Sequence, residues 1–326
     1  MLVEALPTAG RPAPSAPAGE AGGPARAPRR RLRALGRHLV PLLYIAPAFA
    51  LLVLWTYRPL AQTFQLSFYD WNMVPSNPMT PVGLDNYREV LALPEMWQAI
   101  RTTALYIGAL LVFSTVLPVV IALLTRRVGG RARGFYQALI FVPVLITPVA
   151  TAAVWRWLLA PEGGPLTTLL SAFGMEPVNW FRDPQLAVLA VVLITGWQLM
   201  GFGVLVVAAG LTGIGPDYAA AASTDGATAW QTTRWITLPL LSPTLVFLAL
   251  MTLLLSAQWT FPVIDVLTQG GPGNATSNVY HLLWQFGFRN FDAGLSAAAG
   301  VLFFVAFTLV ALLFVKLMDR LSFYDD

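Results

Sequence analysis

The feature that most limits the fold is a series of long apolar stretches without Asp, Glu, Lys or Arg. Six such stretches occur, and each approaches the roughly 20 residues that cross a 30 Å hydrocarbon layer as a helix. A charge at the centre of a bilayer is costly, so charge-free stretches mark the parts of a chain that can lie in lipid. The predicted spans are residues 39–57, 102–125, 134–155, 186–211, 238–262 and 294–316.

The composition agrees with a membrane protein and leaves little room for enzymatic chemistry. The chain is 56% hydrophobic and 11% charged, whereas soluble domains are about 25% charged. Cysteine is absent and the two histidines, His38 and His281, are far apart in sequence. Disulfides, thiolate ligands, histidine-rich metal sites and serine–histidine triads therefore have little to build from. We predict an all-α integral membrane protein with no catalytic residue and no metal site.

Arginines predict the orientation, because short loops rich in Lys and Arg stay in the cytoplasm. One arginine group precedes the first span and another separates the second span from the third. With six spans, both termini then lie in the cytoplasm. Basic residues beside a membrane helix favour this explanation over nucleic-acid binding, so we expect no nucleic-acid partner. The two groups are Arg26, Arg29, Arg30, Arg31, Arg33 and Arg37, and Arg126, Arg127, Arg131 and Arg133.

The chain divides into an arm, a membrane domain and a tail. Residues 1–37 are rich in Pro, Ala, Gly and Arg without apolar periodicity, which predicts a disordered cytoplasmic arm. The six-span domain covers residues 38–320 and includes a cytoplasmic loop at 212–239, and residues 321–326 form a short cytoplasmic tail. A cleaved signal peptide is an alternative reading of the first apolar run, but that run continues to Tyr57 and favours an uncleaved helix.

A seventh charge-free stretch, Val266 to Phe288, is predicted to be a loop. It contains Gly270-Gly271-Pro272-Gly273-Asn274 and further polar residues, whose backbone groups would lack partners in lipid.

Missing residues limit how such a protein could drive transport. A P-loop needs a lysine after a glycine-rich turn, but the only lysine, Lys316, follows Phe314-Val315. The chain is therefore not predicted to be an ATPase. An ion-driven carrier usually holds a carboxylate inside its helices, and Asp265 comes closest to that position. An ion-coupled secondary carrier using Asp265 remains an alternative, as does a structural or sensory membrane protein; a channel is disfavoured because no filter motif stands out.

The segment from Leu211 to Pro239, between the fourth and fifth spans, predicts a short helix, a turn and a second helix. Pro216 and Asp217 are helix start signals, the following alanines favour helix, and Gly226 permits a positive φ. A smooth alanine surface suits insertion into a groove on another protein. An ordinary connector is the alternative.

This loop resembles that of the membrane subunits of binding-protein-dependent ABC importers. The family pattern is Glu-Ala-Ala, three residues, Gly, nine residues, then Ile-x-Leu-Pro, and Ala220 stands where the family has glutamate. The resemblance implies that the loop at 217–239 docks onto a separate ATPase, by packing or through Asp217. The residues implied in docking are Asp217, Ala220, Ala221, Ala222, Asp225, Gly226, Ile236, Leu238 and Pro239.

Further stretches, residues 57–60, 67–72, 82–87 and 267–273, resemble the sugar-type branch of this family. The resemblance implies a type I ABC importer permease fold in a bacterial inner or plasma membrane. The expected solute is a carbohydrate, namely an oligosaccharide, a polyol or a glycerol phosphate, delivered by an extracytoplasmic solute-binding protein. A second homologous permease subunit, two ABC ATPase subunits and the lipid bilayer are the other expected partners. ATP and Mg are expected on the ATPase, and no cofactor on this chain.

Solute contacts are predicted from residue chemistry. Sugars are held by hydrogen bonds and by aromatic faces, which makes Trp197, Gln198, Gln258 and Trp259 the candidates within the spans. Interfacial anchoring or helix–helix hydrogen bonding is the alternative for each. Arg156, at the outer end of the third span, is predicted either to reach the interface or to contact an anionic solute.

Overall fold

The computed structural model describes residues 44–125 and 130–318. They belong to two units divided after Pro59. In the first unit, residues 44–59 are helical and include a π-helical turn at Val53–Tyr57. The second unit carries the remaining elements. The predicted arm at 1–37 and the predicted tail at 321–326 lie outside the described residues.

Helices account for almost all the regular structure. Two short antiparallel strands, β1 (Tyr69–Asp70) and β2 (Thr80–Pro81), pair with Tyr69 opposite Pro81. The helices are α1 Tyr44–Leu66, α2 Asp85–Ala92, α3 Pro94–Thr125, α4 Gly130–Phe141, α5 Pro148–Leu158, α6 Pro165–Ala172, α7 Pro184–Thr212, α8 Pro216–Thr224, α9 Ala229–Leu267, α10 Val279–Trp284 and α11 Ala293–Met318.

Five of these helices, α1, α3, α7, α9 and α11, are long and apolar enough to cross a membrane. The segments Gly134–Leu145 and Pro148–Leu158 pass the same test together and make a sixth span if they are counted as one. Within residues 44–125 and 130–318 the protein is mostly helical with several apolar helices, as predicted, and the short strands β1 and β2 are the departure from an all-α structure. The number of spans and the side of the termini stay predictions.

The third predicted span differs from the continuous helix expected over 134–155. A 3-10 turn, Val142–Leu145, follows α4, and the chain then bends by 96° into α5. Pro143 and Pro148 explain the break, because proline lacks an N–H group and disfavours helical backbone in the residue before it.

The prediction that Val266 to Phe288 form a loop is also partly wrong. Residues from Val279 onward are helical, first in α10 and then in a π-helical turn, Gln285–Arg289. Asn278 caps α10, since its side chain accepts a hydrogen bond from the His281 N–H at 2.8 Å. Residues 268–278 remain irregular.

The helix α7 lies at the centre of the second unit. In its most apolar window 67% of the residues are buried, against 11% for α11. A cluster of buried side chains joins Val191 and Ile194 of α7 to Tyr106 of α3 and Ile264 of α9. Small residues permit this close packing: a Cβ atom on Gly203 would collide with the carbonyl oxygen of Ser114.

The β-hairpin packs against the start of α11. The Asn86 amide donates to the carbonyls of Ser67 and Tyr69, each at 3.0 Å, and the Ala293 N–H donates to the Trp71 carbonyl at 3.0 Å. Gly294 lies directly at this contact, where a Cβ atom would collide with the Tyr69 carbonyl oxygen.

We predict that Gly294→Ala separates the hairpin from α11 and lowers the free energy of unfolding by roughly 1–3 kcal/mol, the usual cost of overpacking. Gly300→Ala is the matched control, because it lies in the same helix and a Cβ atom there has no atom within 4 Å. Thermal unfolding of the purified protein in detergent measures both. Equal melting temperatures for the two variants would contradict the contact.

Candidate functional site

The loop between α7 and α9 has the predicted helix, turn and second helix. The turn after α8 contains Gly226 at φ +75°, a conformation that glycine adopts without strain. The Ala227 N–H closes the turn by donating to the Ala222 carbonyl at 2.9 Å. Thr228 then caps α9 together with Gln231: the Thr228 N–H donates to Gln231 Oε1 at 2.7 Å, and the Gln231 N–H to Thr228 Oγ1 at 3.3 Å.

The residues predicted to dock onto the ATPase differ in exposure. Ala222 is buried and anchors α8, whereas Asp217, Ala220, Ala221, Asp225 and Gly226 are exposed. Ile236, Leu238 and Pro239 are half-buried, where the loop enters the long helix α9.

Two tryptophans that the sequence prediction did not select are also exposed here. Trp230 is 71% exposed and Trp235 70% exposed, with the Arg234 guanidinium 5.0 Å from the Trp235 ring centre. Large exposed aromatic side chains characterise protein–protein and membrane-interface contacts. The loop thus presents small alanines on α8 and bulky aromatics at the start of α9.

Gln198 is fully buried and attached to the bend between α4 and α5. Its Nε2 lies 3.0 Å from the Ile146 carbonyl, 2.9 Å from Thr151 Oγ1 and 3.5 Å from the Pro143 carbonyl. The Pro143 carbonyl already accepts from the Ile146 N–H at 3.3 Å, but the Ile146 carbonyl lies in the bend itself, and in lipid a carbonyl without a helical partner needs a donor from the protein. Gln198 supplies that donor, so its observed contacts are structural.

The other residues predicted to contact solute have different surroundings. Trp197 is 37% exposed and meets Trp155 edge-on, with ring centres 6.0 Å apart. Both rings line a cavity of about 470 Å³ with Trp180. Gln258 is exposed, while Trp259 is half-buried against the cluster around α7. The role of these residues in solute contact stays a prediction.

Asp265 lies in the last turn of α9, beside His281. Its Oδ1 is 3.9 Å from His281 Nε2, and His281 Nδ1 is 3.0 Å from Ser277 Oγ. Burial lowers the pKa of His281 to about 4, an effect that nearby Asp265 opposes and Arg289 reinforces. His281 is consequently neutral at pH 7, so its contact with Asp265 is not an ion pair.

The irregular segment 268–278 contains a set of structural hydrogen bonds that sequence analysis missed. The Asn278 amide donates to the Ala257 carbonyl and to Thr260 Oγ1, both at 2.8 Å, and the Tyr106 hydroxyl donates to the Thr276 carbonyl at 3.0 Å. These bonds join the segment to α9 and α3. Asn278 before an apolar run is a helix-capping signal that the sequence offered.

Arg156 is also engaged within the chain. Its Nη1 donates to the Val266 carbonyl at 3.0 Å, which ties the end of α5 to the end of α9. The sequence predicted that Arg156 either reaches the membrane interface or contacts an anionic solute. Neither prediction included this hydrogen bond.

The protein is helical, has several apolar spans and exposes a helix, a turn and a second helix before its fifth predicted span. This is the architecture of an importer permease. A family model confirms this class. The chain belongs to the family described as binding-protein-dependent transport system inner membrane component, matched over residues 114–323. It is therefore a non-catalytic, multi-pass permease subunit of the inner membrane, and the ATPase is a separate chain.

Individual relatives cover most of the chain. It is 33% identical over 275 residues to the trehalose/maltose transport system permease protein MalF of Thermococcus litoralis, covering 83% of this chain and 91% of that protein. It is 30% identical over 271 residues to the sn-glycerol-3-phosphate transport system permease protein UgpA of Agrobacterium fabrum, covering 82% and 90%.

A solved structure shares the fold. A chain of a bacterial ABC transporter involved in the import of the acidic polysaccharide alginate matches with a TM-score of 0.79 at 22% identity. The match covers 90% of this chain and all of that one.

We predict that Gln198→Leu lowers the free energy of unfolding by roughly 1–3 kcal/mol, because buried acceptors at the bend lose their donor. Gln258→Leu, at an exposed position of a neighbouring span, should leave the melting temperature unchanged. Thermal unfolding in detergent and solute uptake in proteoliposomes are measured for both. Reduced uptake by Gln198→Leu at an unchanged melting temperature would instead assign Gln198 to the solute.

Proposed function

We propose that this chain forms half of the translocation pathway of an ATP-driven importer for a carbohydrate: an oligosaccharide, a polyol or a glycerol phosphate. A solute-binding protein outside the membrane delivers the solute, a second homologous permease completes the pathway, and two ABC ATPase subunits supply energy. The observation that carries the proposal is the exposed helix–turn–helix at 217–239. The names of MalF and UgpA support a carbohydrate or glycerol phosphate as the solute.

Docking onto the ATPase rests on shape more than on charge. Ala220 and Ala221 expose methyl groups on α8, so the helix can approach a groove closely. Ala220 cannot make the charged contact that a glutamate would provide at this position. Asp217, in the first turn of α8, offers the nearest carboxylate for a basic partner residue.

The loop is connected directly to two spans. Three residues separate the end of α7 at Thr212 from the start of α8 at Pro216, and α9 continues from the loop at Ala229 to Leu267. A displacement of α8 by the ATPase would therefore move the central helix α7 and the long helix α9. Gln198 would carry the movement of α7 to the bend between α4 and α5.

Solute contact is assigned to the exposed or half-exposed polar and aromatic groups on these two spans. Trp197 offers part of its ring, and Gln258 and Trp259 offer an amide and a second ring on α9. These groups match what sugars require, namely hydrogen bonds beside flat apolar faces.

We expect uptake of labelled carbohydrate to continue when the proton gradient is collapsed and ATP is held constant. Asp265→Asn should retain most of the uptake, because ATP hydrolysis by the partner subunits drives the proposed transport and no ion needs to bind at Asp265. Proteoliposomes containing the complete transporter provide the assay. Loss of uptake on collapse of the gradient, together with an inactive Asp265→Asn variant, would support the ion-coupled alternative.

We expect Gly226→Asp to abolish uptake and release the ATPase during purification, because a charged side chain then projects from the docking turn. Gly174→Asp is a closely matched control: the two glycines have φ values of +75° and +77°, and at both a Cβ atom has no neighbour within 4 Å. The backbone strain is thus the same for both variants. An intact, transporting complex with Gly226→Asp would contradict the docking assignment.

A further inference from the structure

A groove between α3 and α7 combines a polar end with an apolar floor. It encloses about 550 Å³ and is lined at one end by Gln98, Arg101 and Thr102 of α3 and by Gln185 of α7. Its floor is formed by Leu105 and Ala109 of α3 and by Val188, Leu189 and Val192 of α7. The polar residues lie near the first turns of both helices, and the apolar residues follow toward the helix centres.

The polar end presents exposed side-chain donors that are not used by other groups of the protein. Within the described part of the chain, the Arg101 guanidinium and the amides of Gln98 and Gln185 make no hydrogen bond. The Thr102 hydroxyl is already used, since it donates to the Ala275 carbonyl at 3.3 Å. Three donor groups, one of them positively charged, therefore face the same end of the groove, and an anion rich in acceptor oxygens satisfies them.

The length of the groove matches one leaflet of a bilayer. Its lining residues on α3 run from Gln98 to Ala109 at helical spacing along one face, a distance of about 16 Å at 1.5 Å per residue. Half of a hydrocarbon core of about 30 Å is nearly the same length. The polarity of the groove therefore changes over the same distance, and in the same direction, as that of a single lipid molecule.

We propose that this groove binds a phospholipid, with its phosphate at Arg101 and one acyl chain along the apolar floor. Leu105 is 51% exposed and Leu189 is 43% exposed, and both would flank the acyl chain. By the predicted orientation, the lipid belongs to the outer leaflet. The site is independent of the proposed docking and solute contacts, because it uses other faces and other residues.

Asp183, two residues before Gln185, has a carboxylate that is engaged within the protein. Asp183 caps α7, and its Oδ1 accepts hydrogen bonds from the Gln185 and Leu186 N–H groups at 2.8 and 2.9 Å. Its charge is thus directed at the helix terminus. Arg101 is the charged residue among those that line the groove. Arg156 and Arg88 are engaged elsewhere: Arg156 donates to the Val266 carbonyl, and Arg88 pairs with Asp85 at 2.8 Å.

Native mass spectrometry of the purified complex, exchanged into phosphatidylglycerol nanodiscs and released from them, tests the proposal. Arg101→Gln should lower the fraction of complex that retains lipid about fivefold, the usual effect of one arginine near a membrane surface. Arg88→Gln, an exposed arginine outside the groove, should retain lipid like the parent protein. Ala109→Phe fills the floor and should abolish retention, whereas Ala104→Phe, an exposed alanine of the same helix outside the groove, should not.

Three results would overturn the proposal. Equal retention by Arg101→Gln, Ala109→Phe and the parent protein would show that no lipid occupies the groove. Displacement of the lipid by free sn-glycerol 3-phosphate would assign Arg101 to an anionic solute. Loss of the second permease subunit from the Ala109→Phe complex would identify the groove as a subunit interface. ATP-driven uptake by the parent protein tests the proposed function and is measured separately.

Discussion

The structure depends on one constraint: backbone groups within a membrane must find hydrogen-bond partners inside the protein. The third predicted span breaks at Pro143 and Pro148, and the break exposes carbonyl groups that lipid cannot satisfy. Gln198, on the central helix α7, provides a donor to this bend. Residues 268–278 meet the same need through α3, whose Thr102 and Tyr106 hydroxyls donate to the Ala275 and Thr276 carbonyls. Several polar side chains of the core therefore serve the places where the helices are interrupted.

This arrangement connects the loop between α7 and α9 with the irregular parts of the membrane domain. The loop at 217–239 lies between α7 and α9, and these two helices carry the side chains that hold the bend and the segment 268–278. A permease that is driven by a separate ATPase requires such a connection, since its own chain holds no ATP site. Replacement of the family glutamate by Ala220 changes the chemistry of the proposed contact without altering the helix, the turn at Gly226 or the capped second helix.

Much of the architecture was predictable from local patterns. Charge-free apolar stretches located the long helices, and Pro216, the alanines and Gly226 predicted the form of the loop, because caps, propensities and turns depend on neighbouring residues. The bend at 146–147 was missed although both prolines were visible, since hydrophobicity alone described the span as continuous. Helix α10 was missed because glycine and proline nearby indicated a loop. Of the four residues predicted to contact solute, Gln198 proved to have a structural partner, and no sequence pattern shows which face of an apolar helix points inward.

The sequence by itself determined a membrane protein with several apolar helices, a loop of importer type between two of them and no catalytic machinery. Those properties follow from composition and from short-range spacing. Only the tertiary structure decided that Gln198 supports a bend, that His281 is a neutral neighbour of Asp265 and that Arg101 shares a groove with apolar side chains of another helix. Each of these depends on residues far apart in the chain, whose contacts arise only when the helices pack together.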